Sequence, residues 1–370
     1  MTAIPSYFID FLAEIRLTEA LKSACQEKHL ELRRLLQADS DLAAVIIDAF
    51  LQGSYRRDTS VRPLNPSDGT EHVDVDLVVV TTLDPNAYTP DMVVTKLMPF
   101  LNRNFRGRWT RNDRSIKIAF ADTPITLDLV TTAAPSMIQE AIKAAESRRP
   151  GTGGMLPLSR RKLDEPSDIL SFRRALSEVR KAVGNEDWRE DALLIPDREL
   201  KTWVKTHPIA QIEWTTRKNS STSGHYINIV KAVKWWRRRN TKPEHPKGYP
   251  LEHLIGAMCP DHVDSVAEGL THSLEAAVLT FQRGDKPVLP DHGVPEHDVL
   301  RRVTVADFAA FLGVLRSAAS LARRAMDSPT VPESASTWRE LLGPEFPVPD
   351  GGGFTKRVAA STITTTGRYG

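Results

Sequence analysis

The segment 73–80, VDVDLVVV, constrains the fold more than any other stretch of this 370-residue chain. Its β-branched residues alternate with two aspartates and then become wholly apolar, a pattern that predicts a strand. Side chains at i and i+2 of a strand leave the same face, so Asp74 and Asp76 are expected side by side. The apolar run predicts that the strand is buried beyond them, which places both acids near one end of a central strand.

Two carboxylates held this close raise each other's pKa unless a cation lies between them. Mg²⁺ takes oxygen ligands and keeps positions free for phosphate oxygens, and Mn²⁺ is expected to substitute for it. Asp128 lies alone in a second apolar strand candidate, 125–131, where an unpaired charge is costly. We therefore predict two metal ions held by the catalytic residues Asp74, Asp76 and Asp128. The alternative is that Asp74 and Asp76 cap a strand end in solvent.

A second candidate feature is the pair Gly53 and Ser54, which follows a strand candidate and precedes a polar segment. A glycine lets the backbone approach a ligand closely, and the Ser54 hydroxyl with adjacent N–H groups can hold phosphate oxygens. Alone, such a pair is more typical of an ordinary turn. Arg56 and Arg57 either reach a triphosphate from this turn or pair with nearby Asp58, and both alternatives remain open.

Composition excludes several other classes of protein. The formal net charge of +2 is too small to predict an obligatory nucleic-acid partner. No apolar run approaches the roughly 20 residues that a membrane helix needs, and the N-terminal residues do not resemble a signal peptide. Cys25 and Cys259 lie far apart and suit a reducing compartment. We expect a cytoplasmic protein with no membrane partner.

The order of predicted elements indicates a mixed α/β lobe followed by a helical one. The first lobe has a helix at 17–38, strands at 45–51 and 73–80, a helix at 90–105, and strands at 115–120 and 125–131. The best helices beyond Pro208 are predicted at 226–239, 251–259, 263–281 and 305–326. The expected divisions are a bridging helical segment at 1–45, a core at 46–200 with a mobile insertion near 145–170, a helical lobe at 201–345 and a flexible tail at 346–370.

The stretch Gly53-Ser54-Tyr55-Arg56-Arg57, followed by Asp74-Val75-Asp76 and then Asp128, resembles the nucleotidyltransferase signature of the polymerase-β-like superfamily. Within that superfamily the chain resembles the bacterial cGAS/DncV-like nucleotidyltransferases (CD-NTases) of CBASS anti-phage defence, in particular clade D. The clade-level likeness lies in GHYINIVKAVKWW at 224–236, YPLEHLIG at 249–256 and DHGV at 291–294. It covers roughly residues 5–345 and the last residues of the tail.

This resemblance implies an α+β fold, with a polymerase-β-like core containing a mixed sheet and a C-terminal helical lobe in an OAS/cGAS-like cage. It also implies synthesis of a cyclic oligonucleotide second messenger from ATP and GTP, such as a cyclic trinucleotide of two adenosines and one guanosine. A ribose hydroxyl would attack an α-phosphate with release of pyrophosphate, and an effector would be reached only through the product. The rival functions are a linear oligonucleotide synthase of the OAS type and a catalytically silent nucleotide-binding regulator.

Four residues beyond the core receive roles from the resemblance. Lys231 and Lys234 share one helix face, and Lys234 matches a lysine that contacts the β- and γ-phosphates of a donor nucleotide. Tyr249 resembles an aromatic position that stacks on a base. A solvated face for the lysines and a core position for the tyrosine are the alternatives. Gly370 resembles the C-terminal substrate of an E1/E2-like conjugating partner, with a terminus of no special role as the alternative.

Overall fold

A mixed sheet and a bundle of helices form the computed structural model, which describes residues 4–64, 71–134 and 192–349. The strands of the described part are β1 (Ile46–Gln52), β2 (Val73–Thr81), β3 (Trp109–Arg111), β4 (Ile116–Ala119), β5 (Ile125–Ala133), β6 (Leu193–Asp197) and β7 (Thr202–Thr206). Their order is β1-β2-β5-β4-β3, with β6 joined to β5 and β7 to β6. β2 and β5 run parallel, whereas the other neighbours are antiparallel.

Helices precede the sheet, cover it and form the second lobe. Those before or within the core are α1 (Pro5–Ile15), α2 (Glu19–Ala38), α3 (Ser40–Ala43), α4 (Gly53–Arg56) and α5 (Pro90–Asn104). Those of the second lobe are α6 (Pro208–Ser221), α7 (Tyr226–Arg239), α8 (Tyr249–Met258), α9 (Val266–Thr280), α10 (Val305–Asp327) and α11 (Val331–Leu342). The predicted α+β class is confirmed.

Alternate residues of β2 enter two different cores. The odd-numbered residues face α2 and α5, and these are Val73, Val75, Leu77 and Val79. On the other face Val78 and Val80 pack with Ile209 of α6. Because side chains alternate along a strand, Asp74 and Asp76 share this second face. The acids are therefore directed to the side of the sheet on which the helical lobe begins.

The first two helices belong to different cores. Phe8 and Phe11 of α1 are buried with the helical lobe, and the Phe8 ring lies 4.9 Å from that of Trp338 in α11. Cys25 of α2 is buried against the sheet. The chain leaves α1 at Arg16 in an extended conformation, and the Thr18 side chain then caps α2.

The longest helix of the described chain, α10, is apolar enough to cross a membrane by length and composition alone. The sequence-based search for apolar runs did not single out this helix, which also carries charged side chains such as Arg316 and Arg323. Phe308, Phe311 and Leu315 of this helix are buried in the core of the helical lobe. That burial explains the apolar composition, since a core helix passes the same test as a membrane span.

Several predicted boundaries differ from those observed. The helix expected at 263–281 begins at Val266, because the Ser265 side chain caps it and Glu268 accepts a hydrogen bond from the Asp264 N–H. The hairpin β6–β7 was not predicted, and it continues the sheet past residue 200. Phe346, assigned to the tail, is fully buried against Phe8. The insertion predicted near 145–170 and the tail from 350 lie outside the described residues.

Gly256 of α8 tests the packing of the helical lobe. A Cβ at this position would lie 2.5 Å from Trp214 Cη2 and 2.6 Å from Tyr226 Oη. We expect Gly256→Ala to lower the free energy of unfolding by about 1–3 kcal/mol, the usual cost of overpacking. Gly313→Ala in α10 is the matched control, since nothing lies within 4 Å of its Cβ. It should be neutral or stabilise by up to about 1 kcal/mol. Equal effects in urea denaturation would contradict this packing.

Candidate active site

The three predicted acids lie together on neighbouring strands. The parallel register pairs Asp76 of β2 directly with Asp128 of β5, and pairs Asp74 with Thr126. The Thr126 hydroxyl donates a hydrogen bond to Asp74 Oδ1. Asp128 Oδ1 accepts hydrogen bonds from the Ser115 hydroxyl at 2.9 Å and from the Asn112 side-chain amide at 3.3 Å.

Lys117 of β4 lies among these carboxylates. Its Nζ is 2.7 Å from Asp74 Oδ1 and 3.7 Å from Asp128 Oδ2. Burial alone would lower the pKa of Lys117, but its hydrogen bond to Asp74 and the charges of the aspartates raise it. Lys117 was not among the residues predicted from the sequence. The alternation in Ile116–Ala119 was a usable signal, because it sets Lys117 on the face opposite the buried Ile116 and Ile118.

The pKa of Asp76 reflects its burial and the closeness of the three carboxylates. Burial, followed by the charges of Asp128 and Asp74, raises the pKa of Asp76 to about 7. Burial is also the first cause that raises the pKa of Asp128. A carboxylate in this setting is stabilised in its ionised form by a nearby cation.

The three aspartates are suited to binding a cation, although their oxygens do not converge on one point. Among the described residues no three carboxylates converge as a ready metal cage, and the ammonium of Lys117 bridges Asp74 and Asp128 instead. A positive group already lies where the acids meet. An arrangement of carboxylate oxygens on one strand face suits a hard divalent cation.

Gly53 is required by the close approach of its backbone to Asp76. Its φ is +72°, and a Cβ added there would lie 1.9 Å from Asp76 Oδ2. Ser54 follows in α4, and its hydroxyl accepts a hydrogen bond from the Ser60 hydroxyl at 2.9 Å. The predicted strand–Gly–Ser arrangement thus lies against the acids.

A buried network faces the acids from the helical lobe. Glu252 of α8 accepts hydrogen bonds from Arg57 Nε at 2.8 Å, Lys234 Nζ at 2.8 Å and the Thr59 hydroxyl at 2.9 Å. Lys234 also donates to the Thr59 hydroxyl at 3.0 Å. Arg57, left open between two roles by the sequence, therefore pairs with a carboxylate that the sequence analysis did not single out.

A cavity of ≈ 790 Å³ separates the two groups of charges. Its walls include Gly53, Ser54, Arg57, Asp74, Asp76 and Asp128 from the core, and Gln211, Lys234, Arg237, Arg238 and Tyr249 from the helical lobe. Acids therefore form one side of the cavity, and basic side chains of α7 form the other. Such a division suits a ligand that carries phosphates and is bound with a cation.

The remaining predicted site residues differ in their position relative to the cavity. The ring of Tyr249 borders the cavity and lies 5.1 Å from the Arg57 guanidinium carbon. Lys231 is buried, and its Nζ lies 2.9 Å from Asp58 Oδ1. Neither Lys231 nor Arg56 is among the residues that line the cavity. Gly370 lies outside the described residues.

Comparison with known proteins identifies the family. Residues 1–136 match the Second Messenger Oligonucleotide or Dinucleotide Synthetase domain. A cyclic AMP-AMP-GMP synthase of Enterobacter hormaechei subsp. hoffmannii is 38% identical, with 98% of both chains covered. A probable cyclic AMP-AMP-GMP nucleotide synthase of Salmonella paratyphi B is 37% identical, covering 98% of this chain and 99% of its own.

The fold agrees with that assignment. The CD-NTase CdnG of Bradyrhizobium diazoefficiens, solved in complex with GTP, superposes with a TM-score of 0.63 at 14% identity. The match covers 92% of this chain and 95% of CdnG. The chain belongs to the bacterial CD-NTases and is a nucleotidyltransferase, as the sequence resemblance implied. Its membership of clade D stays a prediction.

Gly53→Ala should lower catalytic activity by more than the strain of a positive φ alone would explain. The added Cβ would displace the Asp76 carboxylate, and misplacing a reacting group by about 1 Å can cost about 100-fold in rate. Gly107→Ala is a matched control, because Gly107 has φ +71° with nothing within 4 Å of its Cβ. Both variants should lose stability because of their positive φ, Gly53→Ala more than Gly107→Ala because of the contact with Asp76, and only Gly53→Ala should lose turnover of nucleoside triphosphates about 100-fold. Equal turnover in the two variants would contradict the close approach.

The pKa of Asp76 predicts a pH dependence of stability in the absence of metal. An unfolded aspartate has a pKa of about 3.9, so the folded state binds the proton more tightly. This contribution to stability is fully present below about pH 4 and is lost as the pH rises through about 7. In urea denaturation with chelator, raising the pH from 5 to 8 should therefore lower the free energy of unfolding less for Asp76→Asn than for wild type.

The exposed Asp122 supplies the control for that experiment. A backbone hydrogen bond, followed by one from Lys28, lowers the pKa of Asp122. Its titration therefore falls below the window of interest, and Asp122→Asn should follow wild type between pH 5 and pH 8. Parallel pH profiles for wild type and Asp76→Asn would contradict the raised pKa of Asp76.

Proposed function

We propose that this chain joins ATP and GTP into a cyclic oligonucleotide second messenger, in particular a cyclic trinucleotide of two adenosines and one guanosine. The observation that carries the proposal is one cavity that is lined by three aspartates and also by the basic side chains of Arg57 and Lys234. The relatives from Enterobacter and Salmonella, a cyclic AMP-AMP-GMP synthase and a probable one, support the choice of product.

Asp74, Asp76 and Asp128 are the residues that would hold two Mg²⁺ ions, with Mn²⁺ able to substitute. Divalent cations bound there would stabilise charge on phosphoryl oxygens and lower the pKa of an attacking hydroxyl. Asp128, held by Ser115 and Asn112, then orients the acceptor hydroxyl or takes its proton. The fit rests on the raised pKa of Asp76 and on the ammonium group already present between two of the acids.

The donor triphosphate is proposed to lie between Gly53 and the wall formed by α7. The ribose hydroxyl of one nucleotide attacks the α-phosphate of another, and the bond to pyrophosphate breaks. Ser54 binds phosphate oxygens, while Lys234 and Arg57 stabilise negative charge on the leaving pyrophosphate. Tyr249 supplies a ring on which a base can stack.

Lys231 and Arg56 remain predicted nucleotide-binding residues of lesser weight. The ion pair of Lys231 with Asp58 holds the segment that carries Thr59 and Ser60 near the cavity. An indirect contribution of Lys231 through that segment fits its position outside the cavity lining.

The remaining family-based predictions are part of the same proposal. They are a role in CBASS anti-phage defence, action on an effector only through the product, a cytoplasmic location, no membrane partner and no obligatory nucleic-acid partner. An E1/E2-like partner acting at Gly370 also remains a prediction, supported by the resemblance. Each rests on the family to which the chain belongs.

The test is incubation of the purified chain with all four nucleoside triphosphates and Mg²⁺, followed by phosphatase treatment and mass spectrometry. Asp74→Asn, Asp76→Asn and Asp128→Asn should each lower product formation by about 1,000-fold or more. Metal ligands supply several kcal/mol of transition-state stabilisation, and each 1.4 kcal/mol is worth tenfold in rate. Asp122→Asn, an exposed carboxylate in the turn before β5, is the control and should match wild type.

The products separate the proposal from its rivals. Phosphatase-resistant cyclic products that contain adenosine and guanosine support it. Phosphatase-sensitive linear chains would favour an OAS-type synthase instead. Binding of triphosphates without any product would favour the catalytically silent regulator.

A further inference from the structure

The DHGV stretch at 291–294 forms a turn whose first residue is held rigidly. Asp291 Oδ1 accepts hydrogen bonds from the Gly293 N–H at 2.8 Å and the Val294 N–H at 3.1 Å. Asp291 is only 8% exposed. A Cβ at Gly293 would lie 2.7 Å from the His207 carbonyl oxygen, so the turn packs directly against the start of α6.

Stacking of aromatic rings also holds this turn in place. The His292 ring lies between those of Trp214 and His253, at centroid distances of 3.8 Å and 3.9 Å. Interplanar angles of 11° and 14° show that the three rings are nearly parallel. The stack ties the turn to α6 and α8, so Asp291 has little freedom to move.

Asp291 determines which way the Gln211 amide faces. Gln211 of α6 lines the cavity, and its Nε2 donates to Asp291 Oδ2 at 3.0 Å and to Oδ1 at 3.3 Å. A carboxylate only accepts hydrogen bonds, so the amide nitrogen must be the group that faces Asp291. Among the described residues no hydrogen bond engages Gln211 Oε1, which leaves this oxygen and one hydrogen on Nε2 for a ligand in the cavity.

Tyr249 borders the same cavity as Gln211. Burial and then the charge of Asp291 raise the pKa of the Tyr249 phenol. A flat ring and an oriented amide are thus both available to one ligand in this cavity.

We propose that Gln211, oriented by Asp291, reads the edge of an adenine base that stacks on Tyr249. Adenine presents an amino donor beside a ring-nitrogen acceptor, and a glutamine amide complements that pair with its own acceptor and donor. Guanine offers two adjacent donors on its Watson–Crick edge, which a carboxylate would match better. Gln211 is then a specificity-determining residue, and Asp291 is the residue that positions it. This inference rests on the proposed function, since it concerns a nucleotide in the same cavity.

The experiment measures binding to the full chain by calorimetry with Mg²⁺, using ATP and GTP analogues whose α,β-bridging oxygen is replaced by methylene. Wild type should prefer the adenine analogue, and Gln211→Leu should weaken that binding about 10–100-fold, the range expected for a bidentate base contact. A purine riboside analogue without the amino group should bind wild type as weakly as the adenine analogue binds Gln211→Leu.

A double variant that exchanges the amide and the carboxylate between positions 211 and 291 controls for loss of binding by misfolding. Gln211→Glu alone brings two carboxylates together, whereas Gln211→Glu with Asp291→Asn restores a hydrogen bond in the opposite sense. The double variant should fold like wild type by circular dichroism and reverse the preference toward the guanine analogue. Asp291→Asn alone lets the amide turn over and should reduce the preference without abolishing binding. Gln282→Glu, at an exposed position, adds the same charge away from the cavity and should change nothing.

The outcomes separate this inference from the proposed function. An adenine-to-guanine binding ratio that stays within twofold of wild type in the double variant would overturn the role of Gln211, while product formation by wild type would leave the proposed function intact. Failure of wild type to bind either analogue would overturn both.

Discussion

A single buried carboxylate, Glu252, joins the two lobes across the cavity. Arg57 and Thr59 reach it from the core lobe, and Lys234 reaches it from the helical lobe. Burial alone would raise the pKa of Glu252, but the charges of Arg57 and Lys234 hold it well below its usual range. Removing one partner of a buried pair leaves an uncompensated charge and costs about 3–5 kcal/mol. The position of α7 relative to Gly53 therefore depends on this network.

The network also contributes positive charge to the lining of the cavity. Arg57 and Lys234 bring two positive charges to one carboxylate, and Arg237 and Arg238 of α7 line the same cavity. Across it, three aspartates are accompanied by Lys117. An anionic triphosphate suits the first wall and a divalent cation suits the second. Because the aspartates and Arg57 belong to the core lobe and Lys234, Arg237 and Arg238 to the helical lobe, neither lobe alone provides the whole site.

The parts of the site that sequence could predict depend on local periodicity. Asp74 and Asp76 were identifiable because a two-residue repeat inside an apolar strand sets both on one face, and Asp128 because it interrupts a similar run. The partners of these groups depend on the tertiary fold. Arg57 and Glu252 are 195 residues apart in the chain, and Glu252 has no local pattern that distinguishes it from an exposed helix residue. Boundaries failed for similar reasons, since β6, β7 and Phe346 are defined by what they pack against.

The residues proposed for catalysis and those proposed for base selection lie on different elements of the fold. The aspartates are fixed by the register of β2 against β5, in which Asp76 faces Asp128, and a one-residue slip would turn them to the opposite face. The groups that can contact a base lie instead on α6, at the start of α8 and in the turn at 291–294. Their hydrogen bonds to one another do not pass through the sheet. A substitution at Gln211 can therefore change the base that is bound while leaving the acids in place, so one strand framework can serve synthases with different products.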